Sequence, residues 1–205
     1  FDEGGWLQAE FVQEPGGTYE AQTTDPMKVV KELAPVSVTE KTDGRFIVDF
    51  GQNLTGWMRF SVRGERGQTV RLRYAESLDE NGELFTANLR SAKAEGLYTL
   101  RGGERETYEP AFTYYGFRFV EVSGYPGQCD PSDFTACMVS DDMRTVGSFK
   151  TSDELLNRIY RNAWWGIAGN YKGMPVDCPQ RNEKQPWLGD RGVAALGENF
   201  VFDNA

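Results

Sequence analysis

Histidine is absent from this 205-residue chain, which removes the side chain most often used as a catalytic base and metal ligand. A histidine-based catalytic triad and a zinc hydrolase site are therefore excluded within these residues. Cysteine is scarce as well, since Cys129, Cys137 and Cys178 form an odd set without the spacing of metal ligands. Carboxylates are the acid–base groups that remain.

Positive charge and long apolar stretches are also in short supply. Lysine and arginine total 22 against 31 aspartates and glutamates. The net charge of −9 argues against a nucleic-acid partner, which would require a basic surface. No apolar run approaches the roughly 20 residues that span a bilayer, so no membrane span is expected. The first residues are acidic and aromatic and predict no signal peptide, and the sequence assigns no compartment.

The most distinctive segment is 177–190, which holds three carboxylates, one arginine and one tryptophan. Pro179 and Pro186 disfavour a continuous helix there and predict a rigid loop. Carboxylates fixed around an aromatic wall suit glycoside chemistry, in which one carboxylic acid protonates the glycosidic oxygen and others hold hydroxyl groups. The alternative is a proline-rich surface loop with solvated charges.

This segment resembles the signature D-C-P-Q-R-[DN]-E-[RK]-x-x-W-x-G-D of bacterial α-L-rhamnosidases, glycoside hydrolase family 78. Asn182 stands where aspartate is frequent in the family, and Gln185 and Pro186 stand where leucine and glycine are frequent. Neither departure touches Glu183, which matches the family's general acid. The resemblance implies hydrolysis of terminal α-L-rhamnose from glycosides or polysaccharides with inversion, without a cofactor or metal.

Other stretches carry the same resemblance along nearly the whole chain. Residues 48–57 are similar to the D-F-G-Q-N-x-x-G-W stretch of the family's β domain, and residues 75–78, 114–119 and 147–149 follow in the family's order. The resemblance implies a β domain followed by the first helices of an (α/α)6 barrel. The remainder of that barrel would then be a partner of this chain.

Residue patterns support a mixed, mainly β fold. Val70, Leu72 and Tyr74 alternate with Arg71 and Arg73, as in a half-buried strand. Segments 45–50, 58–62 and 117–122 alternate in the same way, and glycine-containing turn signals separate them. Short, regularly punctuated strands predict an antiparallel β-sandwich or jelly roll.

The pattern becomes helical near residue 141. Thr151 and Glu154 form a capping box that predicts a helix N-terminus. Apolar residues then recur at helical spacing: Leu155, Leu156, Ile159, Tyr160, Ala163, Trp164 and Ile167. A second helix is expected from around Asp190, which could cap it, toward Phe200.

The division is therefore a β domain over 1–140 and the beginning of a helical domain over 141–205. Two helices cannot close a barrel. Because the chain opens with Phe1 and stops at Asn204 and Ala205, we expect it to be a piece of a longer enzyme.

The loop residues receive the following roles. Glu183 is the candidate general acid, which must carry a proton and therefore needs burial or a neighbouring negative charge. Asp177 and Asp190 could supply that charge, and the resemblance implies that both bind substrate, although either could simply cap local structure. Arg181 could bind hydroxyl groups or fix a carboxylate by paired hydrogen bonds, and Trp187 could form a sugar-facing wall or pack.

No catalytic base is assigned. The resemblance places the base later in the barrel, and nothing in the sequence distinguishes Glu198 from an exposed residue.

Two other readings stay open. The chain could be a non-catalytic carbohydrate-binding or interdomain packing module, given Trp57, Tyr114 and Tyr115 and the missing base. Asp177, Glu183 and Asp190 could instead bind calcium or magnesium, although the alternating pattern of a calcium loop is absent, so we predict no metal site.

Overall fold

The computed structural model describes residues 4–203. Phe1, Asn204 and Ala205, on which part of the expectation of a longer protein was based, lie outside the described residues. Within 4–203, the chain forms twelve strands, two α-helices and two short 3-10 turns.

The elements follow one another in this order: β1 Met27–Leu33, β2 Ser37–Glu40, β3 Phe46–Val62, β4 Thr69–Ala75, β5 Ser77–Leu78, β6 Leu84–Phe85, β7 Glu95–Thr99, β8 Glu106–Tyr108, β9 Tyr115–Ser123, β10 Phe134–Asp141, β11 Arg144–Thr145, α1 Glu154–Gly169, α2 Leu188–Asn199 and β12 Phe202–Asp203. The 3-10 turns are Ala87–Leu89 and Pro131–Asp133.

Eight strands form one curled antiparallel sheet in the order β1-β10-β3-β9-β4-β7, with β2 and β8 also paired to β3. The expected mainly β, antiparallel class followed by helices is confirmed. Alternation works as predicted on β4, where Val70, Leu72 and Tyr74 are buried while Arg71 and Arg73 reach solvent. The inward residues of the sheet join one core with the apolar residues of β3, β9 and β10.

Strand β3 differs from the expectation, because the predicted segments 45–50 and 58–62, apart from residue 45, belong to one 17-residue strand. A register shift between Asp49 and Leu54 interrupts its pairing with β9. Gly51 has a φ of +72°, and its N–H donates to Asp49 Oδ1 at 2.7 Å. The extra residues are therefore accommodated as a bulge instead of ending the strand.

Helix α1 begins with a different cap from the predicted one. Asp153 is the N-cap, and its Oδ1 accepts hydrogen bonds from the N–H groups of Leu155 at 2.8 Å and Leu156 at 3.4 Å. The capping box of Thr151 and Glu154 is wrong, because the Thr151 hydroxyl accepts instead from the Asp153 N–H at 3.0 Å. The buried Asn157 side chain holds Thr151 outside the helix, bonding both its N–H and its carbonyl.

The apolar face of α1 is covered at one end only. Tyr160, Trp164 and Ile167 pack against the sheet core, whereas Leu155 and Ile159 are exposed. Helix α2 begins at Leu188, and the side chain of its N-cap residue, Trp187, makes no capping hydrogen bond to the first turn. Trp187 is extended and directly precedes the first helical residue, Leu188. Asp190 therefore lies in the first turn and is not the cap.

Helix α2 ends at Asn199, close to the predicted Phe200. It exposes Val193 and Leu196, and Phe200, which directly follows it, is exposed as well. Neither α1 nor α2 has the length and apolar character of a membrane-crossing helix.

Candidate active site

The loop between α1 and α2 is closed by backbone and side-chain hydrogen bonds at its base. The Asp177 N–H donates to the Gln185 carbonyl at 3.0 Å, and the Gln185 N–H donates back to Asp177 Oδ1 at 2.8 Å. Lys184 has a φ of 48°, a left-handed conformation that turns the chain at the residue after Glu183. No helix forms over 170–187, which agrees with the effect expected of Pro179 and Pro186.

Arg181 is at the centre of the site. Its Nη2 is 3.2 Å from Asp177 Oδ2 and 3.2 Å from Glu183 Oε2, and its Nε donates to Cys178 Sγ at 3.3 Å. The Cys178 thiol is buried. One guanidinium therefore joins the two carboxylates and the thiol into a single cluster, and these contacts, led by the one to Cys178, raise the pKa of Arg181 above its ordinary value.

The ligand atoms of Asp177, Cys178 and Glu183 lie within 4.8 Å of one another. Among residues 4–203, this grouping does not include Asp190, which is exposed on α2. The metal set considered from the sequence, Asp177 with Glu183 and Asp190, is thus not brought together. The Arg181 guanidinium pairs with both carboxylates and so supplies the positive charge that a bound cation would otherwise provide.

Asp177 is largely removed from solvent, with its side chain 6% exposed. Burial alone would raise its pKa, but the hydrogen bond with Cys178, the Gln185 N–H and the charge of Arg181 together hold the pKa of Asp177 below its usual value. Asp177 is therefore a stable negative charge next to Glu183.

Glu183 has contacts on both sides of its carboxylate. Trp187 Nε1 donates to Oε1 at 3.1 Å, and Arg90 Nη1 lies 3.7 Å from Oε2. The Glu183 side chain is 33% exposed, so the carboxyl is half-buried and does not project freely into solvent. Trp187 is half-exposed, with its ring free to meet a further group while its N–H holds the carboxylate.

A cleft of about 520 Å³ adjoins the cluster. Asp177 and Arg181 line one wall, α1 supplies Trp165, and the β3 bulge supplies Gln52 and Asn53. The residues 52, 53 and 76 lie in stretches that carried the family resemblance, but no chemical role was predicted for them. Asn53 Nδ2 donates to Glu76 Oε1 at 2.9 Å, which fixes this polar wall.

Sequence reasoning missed Lys184, which attaches the loop to the sheet. Its Nζ donates to the Tyr114 carbonyl at 2.9 Å and lies 3.9 Å from the centre of the Tyr114 ring. Burial lowers the pKa of Lys184 and raises that of Tyr114 to about 12. Only the adjacency to Glu183 could have drawn attention to Lys184, since its partner is 70 residues away.

Glycine permits the loop to approach strand β9. A Cβ atom at Gly116 would lie 2.8 Å from the Gln180 Cβ, closer than side chains allow. The loop therefore rests directly on the sheet at this point.

Glu198 is not the ordinary exposed residue expected from the sequence. Its side chain is only 9% exposed, it accepts a hydrogen bond from the Tyr171 hydroxyl at 2.7 Å, and it forms an ion pair with Arg191. Glu198 therefore fastens α2 to the segment that follows α1. The partner Tyr171 is distant in the sequence, so no local pattern signals this burial.

Two family models together match most of the chain. The bacterial α-L-rhamnosidase concanavalin-like domain matches residues 39–140, and the bacterial α-L-rhamnosidase 6 hairpin glycosidase domain matches residues 144–205.

Similar proteins carry the same description. An α-L-rhamnosidase of Streptomyces avermitilis is 42% identical over 185 residues, which are 90% of this chain and 18% of that protein. One from Formosa agariphila is 33% identical over 195 residues, covering 93% of this chain and 20% of that protein. The chain thus spans about a fifth of the length of the curated relatives it matches.

Solved structures agree. The α-L-rhamnosidase from Dictyoglumus thermophilum has a TM-score of 0.89 at 38% identity, over 94% of this chain and 22% of that one. The Streptomyces avermitilis α-L-rhamnosidase complexed with L-rhamnose has a TM-score of 0.87 at 42% identity, over 89% of this chain and 18% of that one.

Proposed function

The chain belongs to the bacterial α-L-rhamnosidase family, and from that premise we propose that it carries the proton-donating half of an active site that removes terminal α-L-rhamnose from glycosides or polysaccharides. The observation that supports this most directly is the half-buried Glu183 carboxyl. It lies beside the Asp177 carboxylate, with Arg181 bridging the two and Trp187 holding one oxygen.

Glu183 is proposed as the general acid of an inverting mechanism. Its carboxyl proton passes to the glycosidic oxygen as the bond to the sugar breaks. The proton must be on the carboxyl before that step.

The base that activates water is proposed to lie beyond these residues. An inverting pair is separated by about 6.5–9.5 Å, so that a water molecule fits between the carboxylates and the sugar. Asp177 is too close to Glu183 for that position, and its oxygens are already bonded to Gln185 and Arg181. Glu198 is occupied by Tyr171 and Arg191.

The other loop residues are proposed to bind the sugar. Asp177 and Arg181 border the 520 Å³ cleft and can exchange part of their mutual hydrogen bonding for sugar hydroxyl groups. The half-exposed Trp187 ring offers a flat apolar face to the C–H surface of rhamnose. Asp190, exposed on the first turn of α2, could bind substrate only from a position outside the Arg181 cluster.

The domain division belongs to the same proposal. Residues 1–140 form the β domain, and residues 141–205 begin the helical barrel. The exposed apolar residues Leu155, Ile159, Val193 and Leu196 on α1 and α2 are then the surface on which the remaining helices pack.

The substitution Glu183→Gln tests the acid role in the full-length protein that contains these residues. We expect kcat for an alkyl rhamnoside to fall by about two to four orders of magnitude, because the amide cannot donate the proton. A p-nitrophenyl rhamnoside, whose leaving group needs little protonation, should be affected less.

Glu80→Gln, at an exposed glutamate of the β domain, is the matched control and should retain full activity. Near-normal turnover of the alkyl rhamnoside by Glu183→Gln would refute the assignment. Calorimetry with L-rhamnose distinguishes this proposal from the carbohydrate-binding alternative. That alternative predicts that the wild-type protein binds L-rhamnose but hydrolyses no rhamnoside.

A further inference from the structure

A second cleft, of about 310 Å³, lies on the β domain and is strongly basic. Strand β4 contributes Arg71 and Arg73, and the segment after the first 3-10 turn contributes Arg90 and Lys93. Glu95 is the single acidic residue among those that line it. Four cations against one carboxylate contrast with the net charge of −9 of the whole chain.

The positive charge of this cleft is only partly neutralised by the protein. Arg71 Nε donates to Glu95 Oε2 at 3.1 Å, and the hydrogen bond from Arg71, with the charges of Lys93 and Arg73, lowers the pKa of Glu95. Arg73 also reaches Glu121, but that carboxylate is shared with Arg45. Glu95 is thus the one carboxylate among the lining residues for four cations, and an excess of positive charge remains.

Arg90 connects the cleft to the candidate general acid. Its backbone has a φ of 57°, a conformation that residues other than glycine rarely adopt. The guanidinium lies 3.7 Å from Glu183 Oε2, and the following residue, Ser91, accepts a hydrogen bond from Asn182 Nδ2 at 3.1 Å. The basic cleft therefore adjoins the carboxyl that would protonate the leaving group.

On the basis of the proposed function, we propose that the basic cleft binds the leaving-group side of the substrate and selects a sugar that bears a carboxylate, a uronic acid. General acid catalysis delivers the proton to the oxygen shared with the leaving group, so the sugar beyond that oxygen lies on the Glu183 side. Arginine is the side chain best suited to bind a carboxylate through two parallel hydrogen bonds. The volume falls within the roughly 300–1,000 Å³ of small-molecule sites.

Arg90 exchanges partners in this proposal. Its guanidinium is largely exposed, and within the part of the chain that the structure describes its ion pair is the 3.7 Å contact with Glu183. A substrate carboxylate that binds Arg90 draws the positive charge away from Glu183, which then retains Asp177 and Arg181 as its charged neighbours.

The test compares two disaccharides in the full-length protein, α-L-rhamnose linked to glucuronic acid and α-L-rhamnose linked to glucose. We expect the kcat/KM for the uronate to exceed that for the neutral sugar by about tenfold or more, mainly through KM. Arg90→Gln should remove most of this preference, and Arg90→Lys should restore part of it. Arg63→Ala, at an exposed arginine outside the cleft, is the control that should leave the ratio unchanged.

Equal kcat/KM values for the two disaccharides in the wild-type protein overturn the proposal. An equal loss on both substrates in Arg90→Gln also overturns it, because Arg90 would then act only on Glu183. If the protein hydrolyses no rhamnoside at all, the proposed function fails. Calorimetry with the uronate disaccharide then still tests whether the cleft binds a uronic acid. Binding that weakens with salt and in Arg90→Gln supports the cleft, and no binding refutes it.

Discussion

At the scale of single residues, Arg181 determines the character of the site. Its guanidinium contacts Asp177, Cys178 and Glu183, which are four residues or fewer apart from it in the sequence. Because these residues are close in the sequence as well as in space, a sequence motif of fixed spacing can identify the whole cluster. The polar wall formed by Asn53 and Glu76 cannot be identified from a short motif, because its two residues are 23 positions apart in the sequence.

Lys184 is predicted to position Glu183 without touching the substrate. Lys184→Met removes the hydrogen bond to the Tyr114 carbonyl and the ammonium above the Tyr114 ring, so the loop can shift on the sheet. Displacement of a catalytic group by about 1 Å can cost up to a hundredfold in rate. We expect kcat to fall by about tenfold or more, with a small change in KM, in steady-state kinetics of the full-length protein.

Lys184→Arg should recover much of the lost kcat, since a guanidinium can occupy the same position over the ring. Lys150→Met, at an exposed lysine, serves as the control and should have normal kcat. A purely structural role for Lys184 would instead lower the melting temperature and leave kcat per folded molecule intact.

At the scale of elements, the sequence predicted the pattern within a strand better than its extent. Burial alternates along β4 as residue types alternate, because each side chain follows the pleat. The continuity of β3 depends on pairing with four other strands and on a bulge at Gly51, which are long-range features. The start of α1 was displaced by a local contact instead, since the side chain of Asn157, six residues further along, holds Thr151 outside the helix.

The cap of α1 has a measurable contribution to stability. Asp153→Ala should lower the free energy of unfolding by about 1 kcal/mol, because two N–H groups of the first turn lose their acceptor. That change corresponds to a melting temperature lower by roughly 2–4 °C in a protein of this size. Calorimetry of the variant beside Ser152→Ala, an exposed neighbour, measures the difference. Equal melting temperatures for the two variants would contradict the assignment of the cap.

At the scale of the whole molecule, the chain has one well-packed half and one open half. The sheet core is buried, whereas α1 exposes Leu155 and α2 exposes Leu196. The class of fold was predictable, because the strand patterns precede the helical ones along the chain. The burial of Glu198 was not, because its partner Tyr171 is 27 residues away.

Leu196→Lys tests whether the open half is covered in the full-length protein. A buried lysine at that position would be costly, so we expect the melting temperature of the full-length protein to fall, whereas the isolated 205 residues should become more soluble. Asn199→Lys, at an exposed polar residue of the same helix, is the control for added charge. An unchanged melting temperature of full-length Leu196→Lys would indicate that α2 remains exposed.

The loop that carries Glu183 is anchored to the sheet through Lys184, Gln180 and Asn182, each of which meets a residue of the preceding β domain. A recombinant piece that starts at residue 141 would lack all three contacts. Chimeras that exchange β domains between related enzymes would therefore have to transfer strand β9 and the 86–95 segment from the parent that donates the loop. For protein engineers, the β domain is thus a structural support of the proposed active site and cannot be left out.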